Sequence, residues 1–199
     1  MDGERGSAAL LGGVAVLERA IAYALGSLAM VTPDVLAHPT PCRHWDLHDL
    51  LEHLYDSMAA LQEAVEDGRR VACSPGPALD VPGAEDAVIL LVRDRAVRLL
   101  GAWANADGWA AVRVDDQPVT APLIAGVGAI EVTVHGWDVA EACGHSRPIP
   151  NELADELLDL SVLFIRGGDR PGRFGRPVAV PASASPGDRL VAYLGRQPS

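Results

Sequence analysis

The stretch Val119–Gly144, VTAPLIAGVGAIEVTVHGWDVAEACG, decides the fold because it predicts one long helix that ends at Gly144. Its apolar residues recur at helical spacing and predict a core-facing stripe of Leu123, Val127, Ile130, Val134 and Trp137. Glu131 and His135 lie four residues apart, so they share one face of this helix, beside the stripe. The same row also holds Ile124, Gly128 and Ala142. Small residues in a row with two polar ones indicate the wall of a pocket.

A second amphipathic helix is predicted from Asp46 to about Asp67. Asp46 is a good N-cap, and Asp49 adds a negative charge in the first turn, where the helix dipole favours it. The apolar stripe consists of Leu47, Leu50, Leu51, Leu54, Met58, Leu61 and Val65. His53 lies beside this stripe, in a row with Ser57, Ala60 and Ala64. A second imidazole therefore occupies the margin of an apolar face.

The rest of the chain predicts a mainly α protein. Helical spacing predicts further helices over about 8–30, 84–105 and 151–166, the last with Asn151 as N-cap. Proline-rich stretches predict loops over 36–45 and 69–82. A short strand or turn is expected over 110–114, and a short helix or strand over 188–194. The simplest architecture is one domain, 1–199, with a helical bundle over about 8–166 and a short extended tail over 167–199.

Composition narrows the class of function. The chain has 199 residues, 49% of them hydrophobic, and can bury a full core. The absence of an 18-residue apolar run and of a secretory signal predicts a cytoplasmic protein with no membrane partner. A net charge of -11 argues against nucleic-acid binding, which depends on clustered cations. A small-molecule substrate is the expected partner.

The cysteines, Cys42, Cys73 and Cys143, are few, odd in number and widely spaced. This pattern predicts neither a disulfide framework nor a thiolate metal site. We expect small, buried or half-buried thiols.

His53, Glu131 and His135 form a candidate set of three metal ligands with one open position. Two histidines and one glutamate hold zinc in several catalytic sites, and the same donors suit Ni, Fe or Mn. An ion held there would acidify a bound water or remove the proton of an arriving thiol. The residues alone leave an alternative open. A Glu–His pair at this spacing is usually solvated or supporting, and a lone histidine beside an apolar face is usually a core residue.

Two motifs around these residues resemble those of a known family. The stretch Pro39–Leu54, PTPCRHWDLHDLLEHL, resembles the opening motif of the mycothiol-dependent maleylpyruvate isomerase N-terminal family, within the DinB-like metal-binding superfamily. The stretch Glu131–Gly144, EVTVHGWDVAEACG, resembles its second motif. The ending, FGRPVAVPASASPGDRLVAYLGRQP, resembles the tail of an actinobacterial subfamily described as metal-binding.

The resemblance implies an up-down-down-up four-helix bundle with an additional helix. It also implies a divalent metal, commonly zinc, on His53, Glu131 and His135, with mycothiol as thiol cofactor and a homodimer as assembly. One departure matters: the isomerases carry a second domain that contributes an active-site arginine. Only about thirty residues follow the fifth predicted helix, too few for a domain. Isomerase activity on maleylpyruvate is therefore not implied.

Three further residues near the candidate ligands could belong to the pocket, and two of them, Asp138 and His44, also have a second interpretation. Asp138, one turn past His135, orients an imidazole or is a plain surface or capping aspartate. Ser57, one turn beyond His53, could face the cavity. His44, in the preceding loop, lines the pocket or is solvated. The Gly/Arg segment 166–176 covers the bundle or presents an arginine to an anionic substrate.

The leading functional hypothesis is a metal-dependent enzyme in which a low-molecular-weight thiol adds to an electrophilic small molecule, as S-transferase or isomerase. Two alternatives stay open: a non-catalytic metal- or small-molecule-binding protein, and a hydrolase that uses metal-bound water without a thiol. No catalytic residue is assigned beyond the metal ligands.

Overall fold

The computed structural model describes residues 2–66, 85–104, 111–114, 117–165 and 174–198. The helices are α1 (Asp2–Leu28), α2 (Leu47–Glu66), α3 (Glu85–Ala104), α4 (Ala121–Ala142), α5 (Asn151–Phe164) and α6 (Pro186–Tyr193). A 3-10 turn, Pro33–Val35, follows α1. Strands β1 (Ala111–Val114) and β2 (Gln117–Thr120) form an antiparallel hairpin with Ala111 opposite Thr120.

Helices α1 and α4 lie side by side and run in the same direction. A Cβ added to Gly13, near the middle of α1, would lie 3.1 Å from the Cα of Pro122, at the start of α4. A Cβ added to Gly136 would lie 3.0 Å from the Cα of Ala24, near the end of both. The missing side chains allow the two backbones to touch, so α4 lies deep in the bundle.

Helix α2 runs antiparallel to α4. Its later part packs on the earlier part of α4, where Leu61 covers Gly128. The loop before α2 lies at the end of α4, because His38 Nδ1 is 3.0 Å from the carbonyl oxygen of Ala142. Because the Leu61 side chain packs against Gly128, one turn before Glu131, the predicted pocket wall on α4 ends at Gly128.

Helix α3 completes the bundle. Arg93, in its first half, donates a 2.6 Å hydrogen bond to the carbonyl oxygen of Leu28 at the end of α1. The end of α3 leads through the β1–β2 hairpin to the start of α4, so α3 runs opposite to both α1 and α4. The predicted mainly α, up-down-down-up bundle is confirmed. Helix α5 packs on α4 as the additional helix, and α6 in the tail packs on α5.

Several predicted boundaries need correction. Helix α1 begins at Asp2, and α4 begins at Ala121 because Val119 and Thr120 pair within the hairpin. Asn151 is the first helical residue of α5, and Pro150 occupies the N-cap position. The tail is not simply extended, since α6 begins at Pro186. The predicted loop 69–82 lies outside the described residues.

The predicted core stripe of α4 is wrong in its first half. Leu123 is 36% exposed and Val127 is 48% exposed, whereas Ile130, Val134 and Trp137 are buried. Helix α4 is apolar on most faces and packs against α1, α2 and α5. Several apolar stripes therefore exist, and periodicity alone does not select the buried one.

Helix α4 also passes a simple test for a membrane span. Among the described residues, Pro122–Ala142 is long and apolar enough to cross a bilayer. In the bundle, however, 78% of its most apolar window is buried. The same helix therefore meets the description of a core helix in a globular protein.

Candidate metal centre

The start of α2 is fixed by local hydrogen bonds. Asp49 N–H donates to Asp46 Oδ1 at 2.9 Å, and Asp46 N–H donates to Asp49 Oδ2 at 3.2 Å. This reciprocal pair satisfies backbone donors as a capping box does, and confirms the predicted N-cap.

The end of α4 is fixed by a glycine turn, as predicted. Gly144 has a φ of 73°, which suits glycine. Its N–H donates to Glu141 O at 2.9 Å, and His145 N–H donates to Ala140 O at 3.0 Å. This is a Schellman ending, and its glycine lies about two and a half turns beyond His135.

The structure brings His53, Glu131 and His135 together. Glu131 Oε1 is 2.7 Å from His53 Nε2 and 3.1 Å from His135 Nε2. The two imidazole rings meet edge to face, with centroids 5.0 Å apart. Ligand atoms about 2.1 Å from a tetrahedral zinc ion lie ~3.4 Å from one another. The donor atoms are thus clustered nearly as such an ion requires.

The cluster lies at the margin of the core, with one side toward solvent. The side chains of His53 and Glu131 are 35% and 28% exposed, while that of His135 is 7% exposed. The ring of Trp45 packs 4.6 Å from the His53 ring and 6.3 Å from the His135 ring, centroid to centroid. Trp45 is therefore one wall of the cluster, and access is from the side of His53 and Glu131.

Electrostatics make the cluster a strong site for positive charge. Burial raises the pKa of Glu131, but the imidazoles of His135 and His53 outweigh it and hold that pKa well below its usual range. Burial lowers the pKa of His135, but the Glu131 carboxylate and hydrogen bonds with Asp138, Cys42 and Glu131 raise it well above its usual range. A carboxylate that holds a proton between two imidazoles could also hold a divalent cation, which would displace that proton.

Asp138 supports His135 from the opposite side. Its carboxylate is fully buried, so it is not the surface aspartate of the alternative interpretation. Oδ2 lies 3.0 Å from His135 Nδ1, which assigns the Nδ1 proton to this hydrogen bond and directs Nε2 toward Glu131. A carboxylate in this position commonly fixes the tautomer and orientation of a metal-binding histidine.

Comparison with known protein families matches the part of the chain that contains these residues. The sequence pattern of the mycothiol maleylpyruvate isomerase N-terminal domain matches residues 17–140, which include His53, Glu131, His135 and Asp138. The chain belongs to this family. Membership implies a mycothiol-related, metal-binding function of the DinB-like type.

Two curated relatives of this family member come from Mycobacterium tuberculosis. They are the uncharacterized protein MT0763 of strain CDC 1551 / Oshkosh and the uncharacterized protein Rv0738 of strain ATCC 25618 / H37Rv. Each is 30% identical over 174 residues, which cover 85% of this chain and 89% of the relative. No solved structure matches the chain.

Two residues beside the candidate metal centre, Cys42 and Arg196, were not predicted from the sequence. Cys42 Sγ lies 3.2 Å from Asp138 Oδ2 and 3.8 Å from His135 Nδ1. Arg196 Nη2 lies 2.9 Å from Asp138 Oδ2. Cys42 is part of the opening motif, but its thiol had no spacing that pointed to a partner. Arg196 lies 58 residues beyond Asp138, so no helical periodicity connects them.

The remaining candidates occupy different positions. Ser57 Oγ is 3.5 Å from His53 Nε2, so it lies beside the cluster. His44 is exposed and has a φ of 77°. Within the described part of the chain, no hydrogen bond or ring contact joins it to the candidate metal ligands. Arg176 is exposed, and Arg170 and Arg173 lie outside the described residues.

Two further groups of potential ligands fit a metal less well. Cys42, His135 and Asp138 have their donor atoms close together, but the Arg196 guanidinium already supplies the positive charge there. The other group, His48, Asp49 and Glu52, lies on the first turns of α2, where Asp49 is exposed and the other two are half-buried. Among the residues that the structure describes, only the group of His53, Glu131 and His135 combines clustered donors, burial on one side and access on the other.

Proposed function

We propose that His53, Glu131 and His135 hold one divalent metal ion, zinc in the first place. We further propose that the protein is an enzyme that uses this centre to activate a low-molecular-weight thiol of the mycothiol type toward an electrophilic small molecule, as S-transferase or isomerase. The observation that carries the proposal is the convergence of two imidazole nitrogens on one carboxylate oxygen, at 2.7 and 3.1 Å, with one side toward solvent.

The donor set suits a thiol. One carboxylate and two neutral imidazoles leave a divalent ion with one net positive charge, which a thiolate at the remaining position neutralises. A bound divalent ion supplies the acidity that removes the proton of a coordinating thiol. Three protein ligands with one open position are the arrangement of catalytic rather than structural zinc sites.

The surrounding side chains have distinct roles. Asp138 orients His135 through its 3.0 Å hydrogen bond, so that Nε2 faces the centre. Trp45 packs against both imidazoles and excludes water from that wall. Ser57 lies beside His53 and is available to accept or donate a hydrogen bond to a polar substrate group.

Zinc content tests the metal. We expect the purified wild-type protein, after dialysis against zinc and then against buffer, to retain one equivalent of zinc. Inductively coupled plasma mass spectrometry measures the bound zinc. His135→Ala should retain none, because it removes a buried donor. The matched control is His145→Ala, since His145 is exposed beyond the end of α4. Equal zinc in wild type and His135→Ala would contradict the proposed ligands.

Thiol consumption tests the reaction. Zinc-loaded protein should accelerate the reaction of mycothiol with a chromogenic aryl halide, and His135→Ala should not. Zinc binding without such turnover would favour a non-catalytic binding protein. Ester hydrolysis that needs zinc but no thiol would favour a hydrolase. Either result would contradict the thiol enzyme while leaving the metal centre intact.

A further inference from the structure

The C-terminal segment places the buried side chain of Arg196 beside Asp138, on the side of His135 that faces away from Glu131. Arg196 is only 8% exposed. Its Nη2 is 2.9 Å from Asp138 Oδ2 and its Nε is 3.3 Å from Asp138 Oδ1, so the guanidinium grips the carboxylate with two parallel hydrogen bonds. Nη2 also donates to Cys42 Sγ at 3.2 Å, and Nη1 donates to Leu194 O at 3.0 Å.

The end of α6 is built to aim this side chain. Gly195 has a φ of 86°, its N–H donates to Ala192 O at 3.0 Å, and Arg196 N–H donates to Val191 O at 2.9 Å. These are the two hydrogen bonds of a Schellman ending, with Arg196 as the residue after the glycine. A Cβ on Gly195 would lie 2.5 Å from the Cα of Gly175, so glycine is needed here for packing as well as for φ.

The contacts form one chain from the tail to a metal ligand. Arg196 holds Asp138, and Asp138 holds Nδ1 of His135. Asp138 is fully buried, and such a charge needs a partner because water does not solvate it. The Arg196 guanidinium is the cationic partner of this carboxylate. It does not contact Nε2 of His135, which faces Glu131 on the other side of the ring.

We propose that Arg196 is a positioning residue of the metal centre, and that docking of the C-terminal segment and metal binding reinforce each other. The inference rests on the proposed metal site at His53, Glu131 and His135. The family match ends at residue 140, so it includes Asp138 but not the arginine that holds it. Coupling of this kind is reciprocal: if the docked segment raises zinc affinity, zinc must tighten the docked segment by the same factor.

Zinc affinity is the first test, measured by competition with a chromophoric chelator on folded protein. Arg196→Gln should lose about 10- to 100-fold in zinc affinity, the usual cost of removing a group that supports a ligand. Arg196→Lys, which keeps the charge but not the fork, should recover part of the loss. Arg189→Gln is the control, because Arg189 belongs to the same C-terminal segment but pairs with Asp155 at the surface. Wild-type affinity in Arg196→Gln would overturn the inference.

A double-mutant cycle separates positioning from mere stability. Because both residues act through His135, Asp138→Asn combined with Arg196→Gln should lose no more zinc affinity than Asp138→Asn alone. Losses that multiply would show that Arg196 does not act through Asp138 and would overturn the proposed chain of contacts.

Amide hydrogen exchange on the wild-type protein gives a test that needs no variant. Zinc should slow exchange in residues 186–198, and His135→Ala should abolish the effect. If the protein binds zinc but the exchange rates in residues 186–198 do not change, the inference about Arg196 is wrong, while the proposed metal centre still stands. A wild-type protein that binds no zinc would instead contradict the proposed metal centre, so the two failures are distinguishable.

Discussion

Glu131 places one carboxylate oxygen between two imidazoles, and this arrangement gives the metal-free protein a characteristic response to pH. The pKa of Glu131 is lowered from its ordinary value of 4.5, so its contribution to stability is present above that value and is lost as pH falls. The pKa of His135 is raised from 6.5, so its contribution is present below that value and is lost as pH rises through the raised pKa. Both contributions are complete between about pH 4.5 and 6.5.

We therefore predict that the free energy of unfolding in chelator is highest, for this pair, inside that window. Urea unfolding of wild type and Glu131→Gln from about pH 4 to 9, a range that covers the ordinary pKa values of about 4.5 and 6.5, measures this free energy. The variant should show a flatter dependence of the unfolding free energy on pH. Zinc should change the alkaline limb, since binding requires a deprotonated imidazole and so stabilises more as pH rises. Identical pH profiles for the two proteins would rule out the Glu131–His135 pairing.

Asp138 and Arg196 form a buried ion pair, and its loss should be costly. Asp138→Ala leaves the Arg196 guanidinium buried without its partner, which we expect to destabilise the fold by about 3–5 kcal/mol. Asp155→Ala is the comparison, because it breaks the exposed pair with Arg189 and should cost at most about 1 kcal/mol. Denaturant unfolding of both variants measures the difference, and similar values would mean that burial does not strengthen the inner pair.

At the scale of elements, α4 approaches α1 closely enough for their backbones to touch at Gly136. Gly136→Ala would place a Cβ 3.0 Å from the Cα of Ala24, and backbone does not yield as a side-chain tip does. We expect a loss of about 1–3 kcal/mol in unfolding free energy. Gly101→Ala on α3 is the control, since a Cβ there meets no atom within 4 Å. Helix propensity predicts a gain of about 0.5–1 kcal/mol for that control.

If Gly136→Ala were as stable as wild type, α1 and α4 would not touch in the way described. Thermal or denaturant unfolding of the two glycine variants decides this. The test also concerns the metal centre, because Gly136 follows His135 directly and a shift of α4 would displace that ligand.

Elements were predictable from the sequence where local interactions define them. Asp46 with Asp49 marks the start of α2, and Gly144 marks the end of α4, because each cap is made by residues a few positions apart. The buried face of α4 was not predictable in its first half, because Leu123 and Val127 are as apolar as their buried neighbours. Only the neighbouring helices decide which of them is covered.

The same division holds for the centre. Helical spacing placed Glu131 and His135 on one face and His53 at the margin of a second apolar face, and family resemblance favoured all three as metal ligands. Cys42 and Arg196 reach Asp138 across 96 and 58 residues of sequence, so only the folded chain brings them together. Such contacts carry no periodic signal.

At the scale of the whole molecule, a metal that binds only the folded chain must stabilise it. With free zinc at 100 times its dissociation constant, the gain is about 2.7 kcal/mol. For a chain of this size about 1 kcal/mol corresponds to roughly 2–4 °C, so we expect the thermal midpoint to rise by roughly 5–10 °C. Calorimetry with zinc and with chelator measures the shift. His135→Ala should show none, and a shift of equal size in that variant would mean that zinc binds elsewhere.

The central claim is that the metal is held by His53, Glu131 and His135 rather than by the neighbouring group that includes Cys42. The X-ray absorption spectrum at the zinc edge, recorded on the zinc-loaded protein without added thiol, tests it most directly. The proposed ligand set predicts nitrogen and oxygen donors at about 2.0–2.1 Å, two of them imidazole. A sulfur donor at about 2.3 Å would contradict it, because the described ligand set contains none.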